Sequence, residues 1–205
     1  MLRSLSELRK IGNCLRQFST MASKSDRIIW VDCEMTGLDI RKHSIVEIAC
    51  IVTEGDLKIV EEGPDIVIHQ PESVLMNMDD WCKSAFEANG LLEKIRSSNI
   101  EMAEAERKIL SFVEKYTKKG ECPLAGNTVF MDRFFLMKFM PAFVNHLHYR
   151  VIDVSSFKEV INRWYPGSEK LEKMKNHRAL DDIRESIEEL RFYRERFMKP
   201  YVNDL

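Results

Sequence analysis

A chain of 205 residues, 44% of them apolar, has room for one well-filled core plus an extension. Its net charge of −2 argues against a protein that grips long duplex nucleic acid through many phosphates, since such proteins carry a basic excess, and no apolar run approaches the roughly 18 residues that a membrane-spanning helix needs. The five cysteines are an odd number with no Cys-x-x-Cys pair, which argues against a disulfide framework or a zinc-thiolate site and for free thiols in a reducing compartment.

Residues 1–25 stand apart from the rest. Arg3, Arg9, Lys10 and Arg16 are basic, Glu7 is the only acid before Asp26, and serines are frequent, which is a transit-peptide composition. At about 100° per residue, Leu8, Ile11, Leu15 and Phe18 gather on one side with the cations away from them, as in a basic amphipathic helix. The RQFS at 16–19 resembles the site cut by the mitochondrial processing peptidase. The expectation is import into the mitochondrial matrix, with Met21 able to start an untargeted form for a cytosolic or nuclear pool. A tail with chance charge asymmetry is the alternative. The folded domain is expected over residues 26–205.

The first strand is the run Ile28, Ile29, Trp30, Val31, whose bulky and β-branched side chains suit the inside of a sheet, and Thr36-Gly37-Leu38-Asp39 supplies the turn that ends it. Asp32 and Glu34 then share one face of the strand while Cys33 takes the other. Two carboxylates about 6 to 7 Å apart on an apolar strand repel and lose solvation unless a cation sits between them. Half of a divalent metal site is one consequence; a strand end splaying two acids into water is the other. Residues 45–53 form a second β-rich run with Glu47 inside it. Residues 57–60 with 66–68 predict a third strand around the Gly63-Pro64 break, reached through a short Gly55-Asp56 hairpin connection.

Pro71 opens a helical region to about residue 86, and residues 102–116 repeat apolar side chains at helical spacing. Residues 123–127 predict a short buried strand, followed by a helix from about Val129. On that helix Asp132 shares a face with Phe135, Leu136 and Phe139, so it is an acid on the packed side, or a first-turn acid favouring the helix dipole. Residues 149–153 predict another strand, then a helix to Trp164, a lysine-rich loop through Lys175 and a long last helix. There the stripe Leu180, Ile183, Ile187, Leu190 and Phe197 leaves Asp182 about a quarter turn from its centre and Asp181 almost opposite. His177 ends the preceding loop; its ordinary pKa suits a general base, and a surface histidine is the alternative. Three antiparallel strands followed by alternating helix and strand predict an α/β domain, a mixed sheet covered by helices.

Asp32-x-Glu34, Asp132, and His177 with Asp182 resemble the four acids and the histidine of the DEDD exonucleases of the histidine-containing type, whose fold is ribonuclease H-like. The resemblance narrows further. WVDCEMTGL at 30–38, DWC at 80–82, AGN at 125–127, HYRVIDVS at 148–155, RWY at 163–165 and HRALDDIRESI at 177–187 are similar to the oligoribonucleases, small-fragment RNA exonucleases, from about residue 27 onward. The resemblance implies a mixed five-stranded sheet flanked by helices and two Mg²⁺ or Mn²⁺ ions held by Asp32, Glu34, Asp132 and Asp182, with His177 as the base. It implies 3′-to-5′ release of 5′-mononucleotides from short single-stranded RNA, dinucleotides above all. Leu38 would wedge between two bases and Trp81 would offer a packing surface, which suits sequence-tolerant stacking. Thr128, Arg150 and Ser155 would hold the 5′-phosphate, with Tyr149 contributed by the other subunit of a homodimer. Phe86 stands where relatives often carry histidine, Phe130-Met131 replaces a more polar pair, and Thr128 replaces serine. A related exonuclease for longer ends and an inactive binding relative are the other classes in view.

Overall fold

The computed structural model describes residues 24–171 and 178–199; residues 1–23 of the stretch assigned to import, part of the lysine-rich loop and His177 lie outside the described residues. The first hydrophobic run becomes β1 (Ile28–Met35), the middle strand of a five-stranded sheet. β2 (Ile45–Thr53) and β3 (Ile59–Val67) extend the sheet antiparallel to one side, whereas β4 (Leu124–Gly126) and β5 (Val151–Asp153) add parallel strands on the other. The order β3-β2-β1-β4-β5 is the mixed sheet expected from the sequence.

Alternation along β1 builds two cores. Ile29, Val31, Cys33 and Met35 face one side of the sheet, and Ile28 and Trp30 face the other, where the Trp30 indole donates to Thr53 Oγ1 at 2.9 Å. On the second side pack two helices introduced below; a third apolar cluster gathers under the short helices α1 (Glu72–Leu75), α2 (Asp80–Ala88) and α3 (Leu91–Ser97). The single helical region expected from Pro71 is thus broken in two at residues 76–79, and Leu91–Ser97 is a further helix that the sequence did not announce. Helices α4 (Met102–Tyr116), α5 (Val129–Phe139) and α6 (Pro141–Val144) cover the first face. Helices α7 (Val154–Trp164) and α8 (Ala179–Phe197) cover the second, α8 through Ile183, Ile187, Leu190 and Tyr193. Among the described residues no helix is long and apolar enough to cross a membrane.

The third strand corrects the sequence expectation. It runs unbroken through Gly63-Pro64, because the pairings Glu62↔Ile51 and Asp65↔Ala49 set three steps of β3 against two of β2, and this bulge absorbs a proline that cannot donate to a ladder. Gly63 is needed there, since a Cβ would lie 2.6 Å from the Phe112 ring and 2.8 Å from the Cys50 carbonyl.

Candidate active site

β1 and β4 pair only at Ile29↔Leu124 and Trp30↔Ala125, and then diverge. The carboxyl-terminal half of β1 therefore lacks a neighbour on that edge, and a crevice opens where side chains of other elements can enter. Asp132, in the first turn of α5, enters it: Oδ1 accepts the Cys33 backbone N–H at 3.0 Å, which provides for a donor that β4 does not reach. Asp132 is 6% exposed, and burial first, then the nearby Asp32 charge, pushes its carboxyl well above the usual range.

On the other face of β1, oxygens of Asp32, Glu34 and Asp182 come within 4.8 Å of one another. Strand alternation aims the first two, and the opening turn of α8 supplies the third. Burial pushes Glu34 up to about 8, with the Asp32 and Asp182 charges adding to the shift. Left alone, such a set holds a proton near neutrality. Hard oxygen donors this close, half-buried and mutually repelling, suit a divalent cation such as Mg²⁺ or Mn²⁺. Asp181, expected on the far side of the helix, pairs instead with Arg184 at 2.9 Å.

Two residues at this site escaped the sequence reading. Glu47 stands opposite Glu34 across β1 and β2 and is fully buried. Its carboxylate accepts Arg178 Nη2 at 2.6 Å, Arg178 Nε at 3.0 Å and the Ala179 N–H at 3.2 Å, so it clamps the start of α8 and brings a cation beside the acids that partly offsets the rise at Glu34. The signal was present as an acid inside an otherwise apolar strand.

The expected substrate residues fall into three groups. Leu38 and Trp81 are each 62% exposed. The Asp79 N–H donates to the Thr36 carbonyl at 2.9 Å, which fastens the start of α2, and Trp81 with it, to the loop that carries Leu38. Thr128, Asp153 and Ser155 line an open cleft where β4 and β5 end. Thr128 adopts a left-handed backbone at φ 53°, and its N–H donates to Asp153 Oδ1 and Ser155 Oγ, both at 3.0 Å. Its hydroxyl lies 3.0 Å from Ser155 Oγ. Tyr149 is 69% exposed, with the Arg150 guanidinium 5.2 Å from its ring centre. Phe86, by contrast, is buried among the short helices, where its side chain serves packing.

The exonuclease family model RNase_T matches residues 29–190. The chain is 54% identical over 171 residues to a probable oligoribonuclease of Dictyostelium discoideum, covering 83% of this chain and 90% of that one. It is 50% identical over 184 residues to the mitochondrial oligoribonuclease of Homo sapiens, covering 89% and 78% respectively. Among solved structures, a moderately thermophilic exonuclease I from Methylocaldum szegediense matches with a TM-score of 0.64 at 18% identity, over 84% of this chain and 41% of that longer one, a likeness of fold.

Proposed function

As a member of the RNase_T exonuclease family and, within it, of the oligoribonucleases, the chain is a 3′-to-5′ exoribonuclease acting on short RNA, and we propose that it works by metal-dependent hydrolysis favouring the dinucleotide. The observation that carries this is the convergence of Asp32, Glu34 and Asp182. With Asp132 they would hold two Mg²⁺ or Mn²⁺ ions. Bound there, the ions supply Lewis acidity that lowers the pKa of water and offsets charge on the departing 3′ oxygen. His177 takes the proton of the attacking water as its oxygen bonds to phosphorus; the bond to the 3′ oxygen breaks, and that oxygen is reprotonated from solvent. Arg178 and Glu47 keep the start of α8, and hence Asp182, against the sheet.

Leu38 separates the two bases and Trp81 gives them a surface. Thr128, Ser155 and Arg150 cap the 5′-phosphate and so close the site after two nucleotides, in keeping with the absence of a basic excess. A homodimer fits the exposed row Phe130, Phe134 and Met137 on α5 beside exposed Tyr149 and Val151, an apolar strip that a second copy would cover while lending its own Tyr149. Residues 1–25 direct import into the mitochondrial matrix, and a start at Met21 leaves a cytosolic or nuclear pool; half-identity to a mitochondrial relative supports the first.

The test is cleavage of 5′-labelled RNA of two to seven nucleotides with Mg²⁺, beside a DNA dinucleotide and Asp182→Ala. The dinucleotide should be cut fastest, and the variant should lose more than about 100-fold, the upper range for groups that merely support a metal ligand. A rate that climbs with length overturns the capped site.

A further inference from the structure

Asn127 ties together three elements. It follows β4; its Oδ1 accepts the Ser155 hydroxyl at 3.1 Å at the start of α7, and its Nδ2 donates to Ser186 Oγ at 2.8 Å and Glu189 Oε2 at 3.0 Å on α8. Ser186 Oγ in turn donates to the Asp182 carbonyl at 2.8 Å. Through two hydroxyls, one amide thus spans the gap between the candidate phosphate cap and the helical turn that carries a candidate metal ligand.

The amide has one workable orientation. Glu189 is 2% exposed and accepts the Tyr193 hydroxyl at 2.7 Å. Its carboxylate only accepts, so a flipped Asn127 would set oxygen against oxygen in a buried place. The polarity then passes outward. Ser155 directs its only proton to Asn127, and its lone pairs receive the Thr128 N–H at 3.0 Å, which holds Thr128 in its left-handed conformation at the mouth of the cleft. Glu189, which also lies 4.0 Å from Lys158 Nζ, takes no part in the chemistry of hydrolysis, and its carboxylate fixes which way the Asn127 amide faces.

We infer that Asn127, braced by Glu189, is a positioning residue that sets the distance from the 5′-phosphate cap to the metal site and thereby the substrate length. This rests on the capped-site reading above. The test measures kcat and KM for an RNA dinucleotide with and without a 5′-phosphate, in the wild type, Asn127→Ala, Asn127→Asp, and Asn127→Asp combined with Glu189→Gln. In the double variant the glutamine amide donates to the new carboxylate, which reverses that bond and still leaves an acceptor for Ser155. Both single variants should lower the preference for the 5′-phosphorylated dinucleotide by about 10- to 100-fold, the worth of a charge-assisted hydrogen bond, chiefly through KM. The double variant should recover at least tenfold of that. Equal losses on both substrates, or a folded variant that retains the preference, overturn the inference while leaving the cap standing. A wild type indifferent to the 5′-phosphate overturns the cap and the inference together. If Asn127→Ala does not fold, as seen by circular dichroism, the two Asp-containing variants decide: no difference between them in phosphate preference overturns the inference.

Discussion

Removing metal should make this protein lose stability as pH rises, and Glu34→Gln should remove part of that loss. An unfolded Glu ionises near its ordinary value of 4.5, whereas burial and the Asp32 and Asp182 charges hold Glu34 up to about 8 in the fold. Between those values the native state keeps a proton that the unfolded state has released, so stability is full below about 4.5 and declines as pH climbs through 8. At about 1.4 kcal/mol per unit, less the partial titration at either end, the share of Glu34 in the decline from pH 5 to pH 8 is about 3.5 kcal/mol, or roughly 7 to 14 °C in Tm for a domain of this size. Thermal unfolding in EDTA across that interval reads it directly. Saturating Mg²⁺ or Mn²⁺ should flatten the wild-type profile, because the ion binds the ionised carboxylates and is linked only to the fold. Asp132, which burial also holds up, adds a slope of its own that remains in Glu34→Gln. Identical slopes in the wild type and Glu34→Gln would refute the reasoning, and so would a slope untouched by metal.

Glu47→Gln strips the charge from the clamp on Arg178 and should cost about 2 kcal/mol, less than a fully buried pair because Arg178 retains some exposure; thermal unfolding reads it, and weaker Mn²⁺ binding by calorimetric titration should accompany it. Gly126→Ala would bring a Cβ to 2.8 Å from the Val31 carbonyl and 3.1 Å from Val129, so the β1–β4 pairing must shift; an expected loss of about 1 to 3 kcal/mol in denaturant unfolding checks this. On the proposed homodimer, Phe134→Glu places a charge in the middle of the exposed apolar row of α5 and should yield a folded monomer by sedimentation, with dinucleotide cleavage reduced by loss of the Tyr149 that the second copy is proposed to lend.

What the sequence made legible follows from periodicity. Alternation in residues 28–35 and the 3.6-residue stripe of α8 are strong local signals, and together they aim Asp32, Glu34 and Asp182 before any tertiary contact is known. The bulge at Gly63-Pro64 was not legible, since a proline reads locally as a break and only the register of the facing strand shows where the extra residue goes. Glu47 was missed for a related reason: inside a β-rich run an acid counts as noise until its partner, 131 positions away, is seen to reach it.

The same acids show why the fold tolerates so poor a local arrangement. Glu34 faces Glu47 across adjacent strands, a like-charge pair that is destabilising on its own, and Asp132 is buried beside Asp32. A sequence under pressure only to fold would replace these with valine or leucine, which suit every neighbour. The chain instead retains them and adds one cation, Arg178, that serves Glu47 through direct hydrogen bonds and reaches Glu34 only through its field. Arg178 thus offsets the repulsion enough to hold α8 in place without occupying the space between the three converging oxygens. A second arginine aimed at Glu34 would stabilise the metal-free protein further and destroy the site, which is the physical reason for an arrangement where the structural pair is closed and the neighbouring carboxylates are left for an ion.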